Sequence, residues 1–210
     1  MGIRSYKYYS DKLVEASEKL MDHTQYAASA HWHAHINRYA ASPQVLDWLK
    51  NRQSLTSRLV ASCAQFQVQR LHQQASQCLP DEVAVMGLSR RRQVMERDVL
   101  LRCNGVPVVY AHTILPQSAN ATQWPLFASL GNKSLGTTLF DDPLVARGAL
   151  HFSLLRATHP LMRRIAKLDV VVAAASSLYA RRSLFTRRGS SLLVTEVFLP
   201  SLYALQGKRD

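Results

Sequence analysis

Apolar residues recur along the chain at two spacings, and the change from one to the other marks where helix gives way to sheet. Two amphipathic stretches come first, Tyr8–Met21 and Tyr26–Tyr39, with no strand pattern between them, so residues 1–41 are expected to form an N-terminal helical extension. Ser42-Pro43 then supplies an N-cap with proline at the first helical position, and Val45, Leu46 and Leu49 follow at helical spacing. Ser54-Leu55-Thr56 starts a second helix running to about Cys63. From Gln65 to His72 the period drops to two, with Phe66, Val68 and Arg70 alternating against Gln67 and Gln69 as in a half-exposed strand.

Val94–Arg102 and Val106–Leu115 flank Cys103-Asn104-Gly105, and Asn-Gly between two strand-like runs favours a tight hairpin. Further on, short helices are expected around Trp124, Phe127 and Leu130, ended by Gly131, then over Ser134–Phe140 and over Arg147–Ala157. Leu168–Ala175, Leu178–Thr186 and Leu192–Leu199 read as strands, the last introduced by the turn Gly189-Ser190-Ser191. Hairpin-joined strands with helices inserted early and midway predict an α+β fold, a single domain over residues 42–210 in which helices cover one face of an antiparallel sheet.

Composition narrows the setting. A chain of 210 residues with 47% hydrophobic and 19% charged residues suits one domain with its own core. The longest apolar run, Leu168–Ala175 broken by Asp169, falls far short of the ~20 residues that cross a bilayer as a helix. The N-terminus shows neither an apolar segment nor a small-residue cleavage site, so a cytoplasmic protein is expected. Cys63, Cys78 and Cys103 are odd in number and lack CxxC spacing, which reads as reduced thiols. A net charge of +12 favours anionic partners without choosing among them. The clusters Arg90-Arg91-Arg92, Arg163-Arg164, Arg181-Arg182 and Arg187-Arg188 accompany no nucleic-acid-binding motif and read as solvated basic surface.

Period two also sorts the charges. Met95, Arg97, Val99 and Leu101 share one strand face, while Glu96, Asp98 and Arg102 share the other, so Arg97 points with the apolar residues. A guanidinium there needs a carboxylate, either from the protein as a buried ion pair or from a ligand gripped by its planar fork. Glu196 is the mirror image, on a face with Leu192, Val194 and Phe198. It either pairs with an arginine such as Arg97 or faces a cavity as a hydrogen-bonding or acid/base group. Two opposite charges on inward strand faces predict a polar pocket in the sheet.

Ser54 before Leu55 and Ser134 before Leu135-Gly136 are N-caps, and the N–H groups just inside a helix start attract anions. His31, His33 and His35 have no carboxylate or cysteine at metal-motif spacing and read as a solvated or packed cluster, so no metal site is expected. A phosphate-binding glycine loop, a GxSxG elbow and an HExxH motif are all missing from the sequence.

The helix PQVLDWLKNRQSLT, the hairpin ERDVLLRCNGVPVVYAHTILP, the segment LGNKSLGTTLF and the C-terminal RRSLFTRRGSSLLVTEVFLP occur together and in order. In these segments, from Ser42 onward, the chain resembles the bacterial chorismate pyruvate-lyases. The resemblance implies a six-stranded antiparallel sheet with helices on one face and a ligand buried beneath helical flaps. It implies cofactor-independent cleavage of chorismate to 4-hydroxybenzoate and pyruvate, the first step toward ubiquinone. Arg97 corresponds to the residue that binds the ring carboxylate, backbone N–H groups at Leu55 and Leu135 to those that assist it, and Glu196 to the glutamate near the ring hydroxyl. His112 stands where arginine is common in the family. If that position helps hold the second carboxylate, His112 would do so only as a protonated ring or a neutral donor. Residues 1–41 have no counterpart in the resemblance. The partners it implies are chorismate and 4-hydroxybenzoate, with no specific nucleic acid and no membrane span, and the protein is taken to be a monomer.

The competing reading is a non-catalytic small-molecule sensor, because the same fold serves as the effector domain of UTRA-like transcription regulators. Such regulators carry an N-terminal winged helix-turn-helix, and the residues before Ser42 are too few for that module.

Overall fold

A computed structural model describes residues 29–36, 39–119, 121–125, 127–168 and 175–205. Six strands, β1 (Phe66–Gln77), β2 (Gln93–Cys103), β3 (Val106–Pro116), β4 (Val145–Arg156), β5 (Ser177–Arg187) and β6 (Ser190–Phe198), form one antiparallel sheet in the order β1-β2-β3-β6-β5-β4. Among the described residues four helices accompany it: α1 (Pro43–Lys50), α2 (Leu55–Ser62), α3 (Leu135–Asp141) and α4 (Pro160–Ala166).

Local chemistry explains most boundaries. Ser42 Oγ accepts from Val45 N with Pro43 at the helix start, as its sequence predicts. The β2–β3 turn places Asn104 and Gly105 at positive φ (50° and 78°), the backbone twist that a two-residue hairpin requires. The β5–β6 turn does the same with Arg188 and Gly189.

Helices α1 and α2 lay Trp48, Leu49, Leu55 and Leu59 on Val99, Leu101, Val109 and Phe198, while α3 packs Leu135 and Leu139 near Phe185 and Leu192. The helices are not confined to this face, contrary to expectation. On the other side α4 buries Leu161, Met162 and Ile165 against Leu100, Tyr110, Ala180 and Val197. The inner strands are buried on both faces, so both need cover.

Several expectations are corrected. Arg147–Ala157 is no helix: Arg147–Arg156 lies in β4, whose register against β5 shifts between Arg147 and Leu150 and so blurs the two-residue period, and Ala157 begins the turn after it. Gly148 sits in that shift, where an added Cβ would come 3.1 Å from the Leu184 carbonyl. Residues 121–125 and 127–130 form turns. Residues 29–36 are not a regular helix: His33 exchanges backbone hydrogen bonds of 2.9 and 2.8 Å with Phe152, and Ile36 is buried in the core. Tyr8–Met21 and most of Leu168–Ala175 lie outside the described residues.

Cys63 and Cys103 are joined as a disulfide with Cα atoms 5.6 Å apart, rather than standing as reduced thiols. The end of α2 lies over the end of β2, a tertiary approach that cysteine spacing cannot reveal. No helix among the described residues is long and apolar enough to cross a membrane.

Candidate active site

The strand period that turns Val99 and Leu101 toward α1 and α2 turns Arg97 the same way, opposite Thr113 in β3. Arg97 is 2% exposed. Its Nη2 donates to the carbonyls of Gly131 (3.1 Å) and Lys133 (2.9 Å), and its buried Nε has no hydrogen-bond partner. Among the described residues it has no carboxylate partner. Burial, reinforced by the charge of Arg70, lowers its pKa to about 10, which leaves it a cation at neutral pH.

Glu196 stands between Ala111 of β3 and Arg181 of β5 on the same sheet face. Its partner is Arg181, not Arg97: Arg181 Nε donates to Glu196 Oε2. Arg181 is 1% exposed, and its Nη1 donates to the carbonyls of Trp48, Leu49 and Asn51 at the C-terminal end of α1, where backbone acceptors are left over. The end of a helix thus fixes the arginine that fixes the glutamate.

Leu55 and Leu135 are the first residues of α2 and α3. Ser54 Oγ accepts from Ser57 N and Ser134 Oγ from Gly136 N, as their positions predict. The two helix starts meet, with Thr56 Oγ1 and Ser134 Oγ 2.5 Å apart. Gly136 permits the approach, since a Cβ there would fall 2.5 Å from Thr56 Oγ1. Arg97, Glu196, Leu55 and Leu135 all line one cavity between the sheet and these helices. Its apolar wall includes Val68, Val99, Ala111 and Phe185, and Arg147 and Ser183 complete its far side. Such a site can hold a flat apolar ring with an anionic group at Arg97 and a hydroxyl near Glu196.

The family model for chorismate lyase matches residues 27–208. The chain belongs to the chorismate lyase family. A probable chorismate pyruvate-lyase of Nitrosospira multiformis is 45% identical over 166 residues, which cover 78% of this chain and 91% of that protein. One from Cupriavidus metallidurans is 41% identical over 174 residues, covering 82% and 81%. Solved structures with a similar shape include the C-terminal domain of the histidine utilization repressor from Pseudomonas syringae pv. tomato (TM-score 0.48, 11% identity, 70% of this chain and 99% of that one). PhnF from Mycobacterium smegmatis is another (TM-score 0.49, 15% identity, 72% and 66%).

In this chorismate lyase family member His112 does not face the cavity. It lies across from Asp98 on the opposite sheet face, with Nδ1 2.5 Å from Asp98 Oδ1 and Nε2 2.9 Å from Glu82 Oε1. Burial works against a charged ring, but the Asp98 and Glu82 carboxylates outweigh it and push the pKa up to about 10. Arg164 from α4 joins this cluster, bonding Glu96 (3.0 Å) and Asp98 (2.9 Å). His72, Glu96 and Asp98 bring ligand-type atoms within 4.8 Å of one another, with Arg164 already bound to both carboxylates.

Sequence reasoning missed Arg181 and Arg147. In the sequence Arg181 and Arg182 read as solvated surface, yet both are buried, and so is Arg187. Adjacent residues of a strand point to opposite faces, so an arginine pair on an inner strand buries one member on each side. That signal was available for Arg181. Arg147 was hidden by the helical reading of its segment.

Proposed function

We propose that the protein is a chorismate pyruvate-lyase that converts chorismate to 4-hydroxybenzoate and pyruvate without a cofactor. The observation that carries this reading is Arg97, a buried guanidinium on the cavity wall with two carbonyl bonds and no carboxylate partner among the described residues. A carboxylated ring supplies what it lacks. In this reading Arg97 grips the ring carboxylate, backbone N–H groups at Leu55 and Leu135 assist, and Glu196 lies by the 4-hydroxyl.

The reaction removes the C4 proton and breaks the C3–O bond. The electron pair of the C4–H bond enters the ring, which becomes aromatic, and enolpyruvate leaves to be protonated at its methylene carbon as pyruvate. Aromatisation drives it, so the protein need only orient the ring, exclude water and balance the moving charge. Arg181 holds one oxygen of Glu196, which keeps the carboxylate in place to bond the hydroxyl or receive the C4 proton. Neither step asks for a metal. We further take the enzyme to be a cytoplasmic monomer serving ubiquinone synthesis.

Incubation of the purified protein with chorismate and a strong chelator should release pyruvate and 4-hydroxybenzoate in equal amounts. Folded protein that binds 4-hydroxybenzoate but leaves chorismate intact would favour the sensor reading. Loss of turnover on chelation would call for a metal.

A further inference from the structure

The proposed substrate carries two carboxylates, one on the ring and one on the enolpyruvyl group, whereas the aromatic product keeps only the first. The cavity correspondingly has two arginines on its wall, at opposite ends of a row of residues. Register carries that row from Arg97 through Thr113 and Val194 to Ser183, three strand spacings or roughly 14 Å of sheet. Arg147 of β4 lies just beyond and donates from Nε to Ser183 Oγ (3.2 Å). Glu196, in the same strand as Val194, falls between the two arginines.

Ring geometry gives this order a meaning. With the ring carboxylate on Arg97 and the 4-hydroxyl para to it near Glu196, the enolpyruvyl ether at C3 is the hydroxyl's neighbour and is carried toward the Arg147 end. Arg147 is also held ready. Its Nη1 donates to the Arg52 carbonyl (2.6 Å), and its guanidinium lies over Phe140 and Phe185, 5.2 and 5.5 Å from the ring centres. Among the described residues no carboxylate lies within ion-pair distance, and Nη2 makes no hydrogen bond. Burial leaves its pKa at about 10, so it is charged at neutral pH.

Resting on the lyase reading, we propose that Arg147, with Ser183 beside it, seats the enolpyruvyl carboxylate of chorismate and so distinguishes substrate from product. Arg97 binds both compounds, and Arg147 engages only the one that still carries the three-carbon group. Cleavage releases that group from the aromatic ring, and the contact no longer contributes to holding 4-hydroxybenzoate.

Arg147→Gln and Arg147→Lys, measured for chorismate KM, kcat and affinity and for 4-hydroxybenzoate Kd, provide the test. Arg147→Gln should weaken chorismate roughly 10- to 100-fold while 4-hydroxybenzoate binds within about twofold of the parent. Arg147→Lys, which keeps the charge and loses the fork, should fall between. An unchanged KM, or an equal loss for substrate and product, overturns the assignment. Retained 4-hydroxybenzoate binding shows that a variant is folded, and if Arg147→Gln does not fold, Arg147→Lys decides by the same comparison. Should the parent bind chorismate without cleaving it, the lyase reading falls by itself. Chorismate affinity alone then decides for or against the Arg147 seat.

Discussion

Placed among Val99, Leu101 and the first turns of two helices, the Arg97 guanidinium gives up most of its hydration and recovers two carbonyl bonds from the protein. A residue kept under those conditions should weaken the fold and serve the ligand. Arg97→Met is therefore expected to leave stability unchanged or raise it, by up to about 1–4 kcal/mol, in urea unfolding. Arg97→Ala should weaken 4-hydroxybenzoate by about 2–5 kcal/mol in calorimetric titration. A variant that binds product like the parent would remove Arg97 from the site. His112 invites the opposite experiment. With a folded pKa of about 10 against about 6.5 unfolded, its contribution is complete below pH 6.5 and is lost as pH rises through about 10. Asp98, held low mainly by His112 against its burial, contributes above the unfolded carboxylate value and loses that as pH falls. Unfolding free energy should thus decline as pH rises above about 6.5, and His112→Gln should flatten the slope; a flat parent profile would mean the ring is neutral. Arg97 and Glu196 could be found from sequence because each is a lone charge in an alternating strand. The partner of Glu196 could not, because the pairing of β5 with β6 is tertiary.

At the scale of elements, the site depends on two helices starting at the same place. The N-caps Ser54 and Ser134 were legible, as were the hairpin and the C-terminal strands. Their meeting was not, since Thr56 and Ser134 are 78 residues apart. Gly136 is where the two facts join. Gly136→Ala should push α3 away from α2 and lower 4-hydroxybenzoate affinity at least about tenfold, because small displacements of positioning groups are amplified in binding and catalysis. Product titration beside a melting curve would show it, and normal affinity would mean the contact has no part in the site. The misread β4 teaches a related lesson: a register shift and a close-packed glycine erase the period on which a strand is recognised.

For the molecule as a whole, sequence pattern captured the α+β class and the single antiparallel sheet, but it placed the start of the domain at Ser42. A domain beginning there predicts that deleting residues 1–41 changes little. Ile36 in the core argues otherwise, as does Trp32, whose indole donates to Asp81 (2.7 Å) and lies under Arg182. We propose that the folded unit includes Trp32 and Ile36, and that deletion of residues 1–41 lowers the melting temperature. A melting temperature unchanged by that deletion would return the boundary to Ser42. The bridge between His33 and Phe152 adds a consequence of another kind. The sheet ends at β4, whose outer rim carries backbone donors and acceptors that another chain could match, and His33 occupies part of that rim. A protein shortened past His33 would present a longer open template, so light scattering should show it clustering as its concentration rises while the chain that retains His33 stays dispersed.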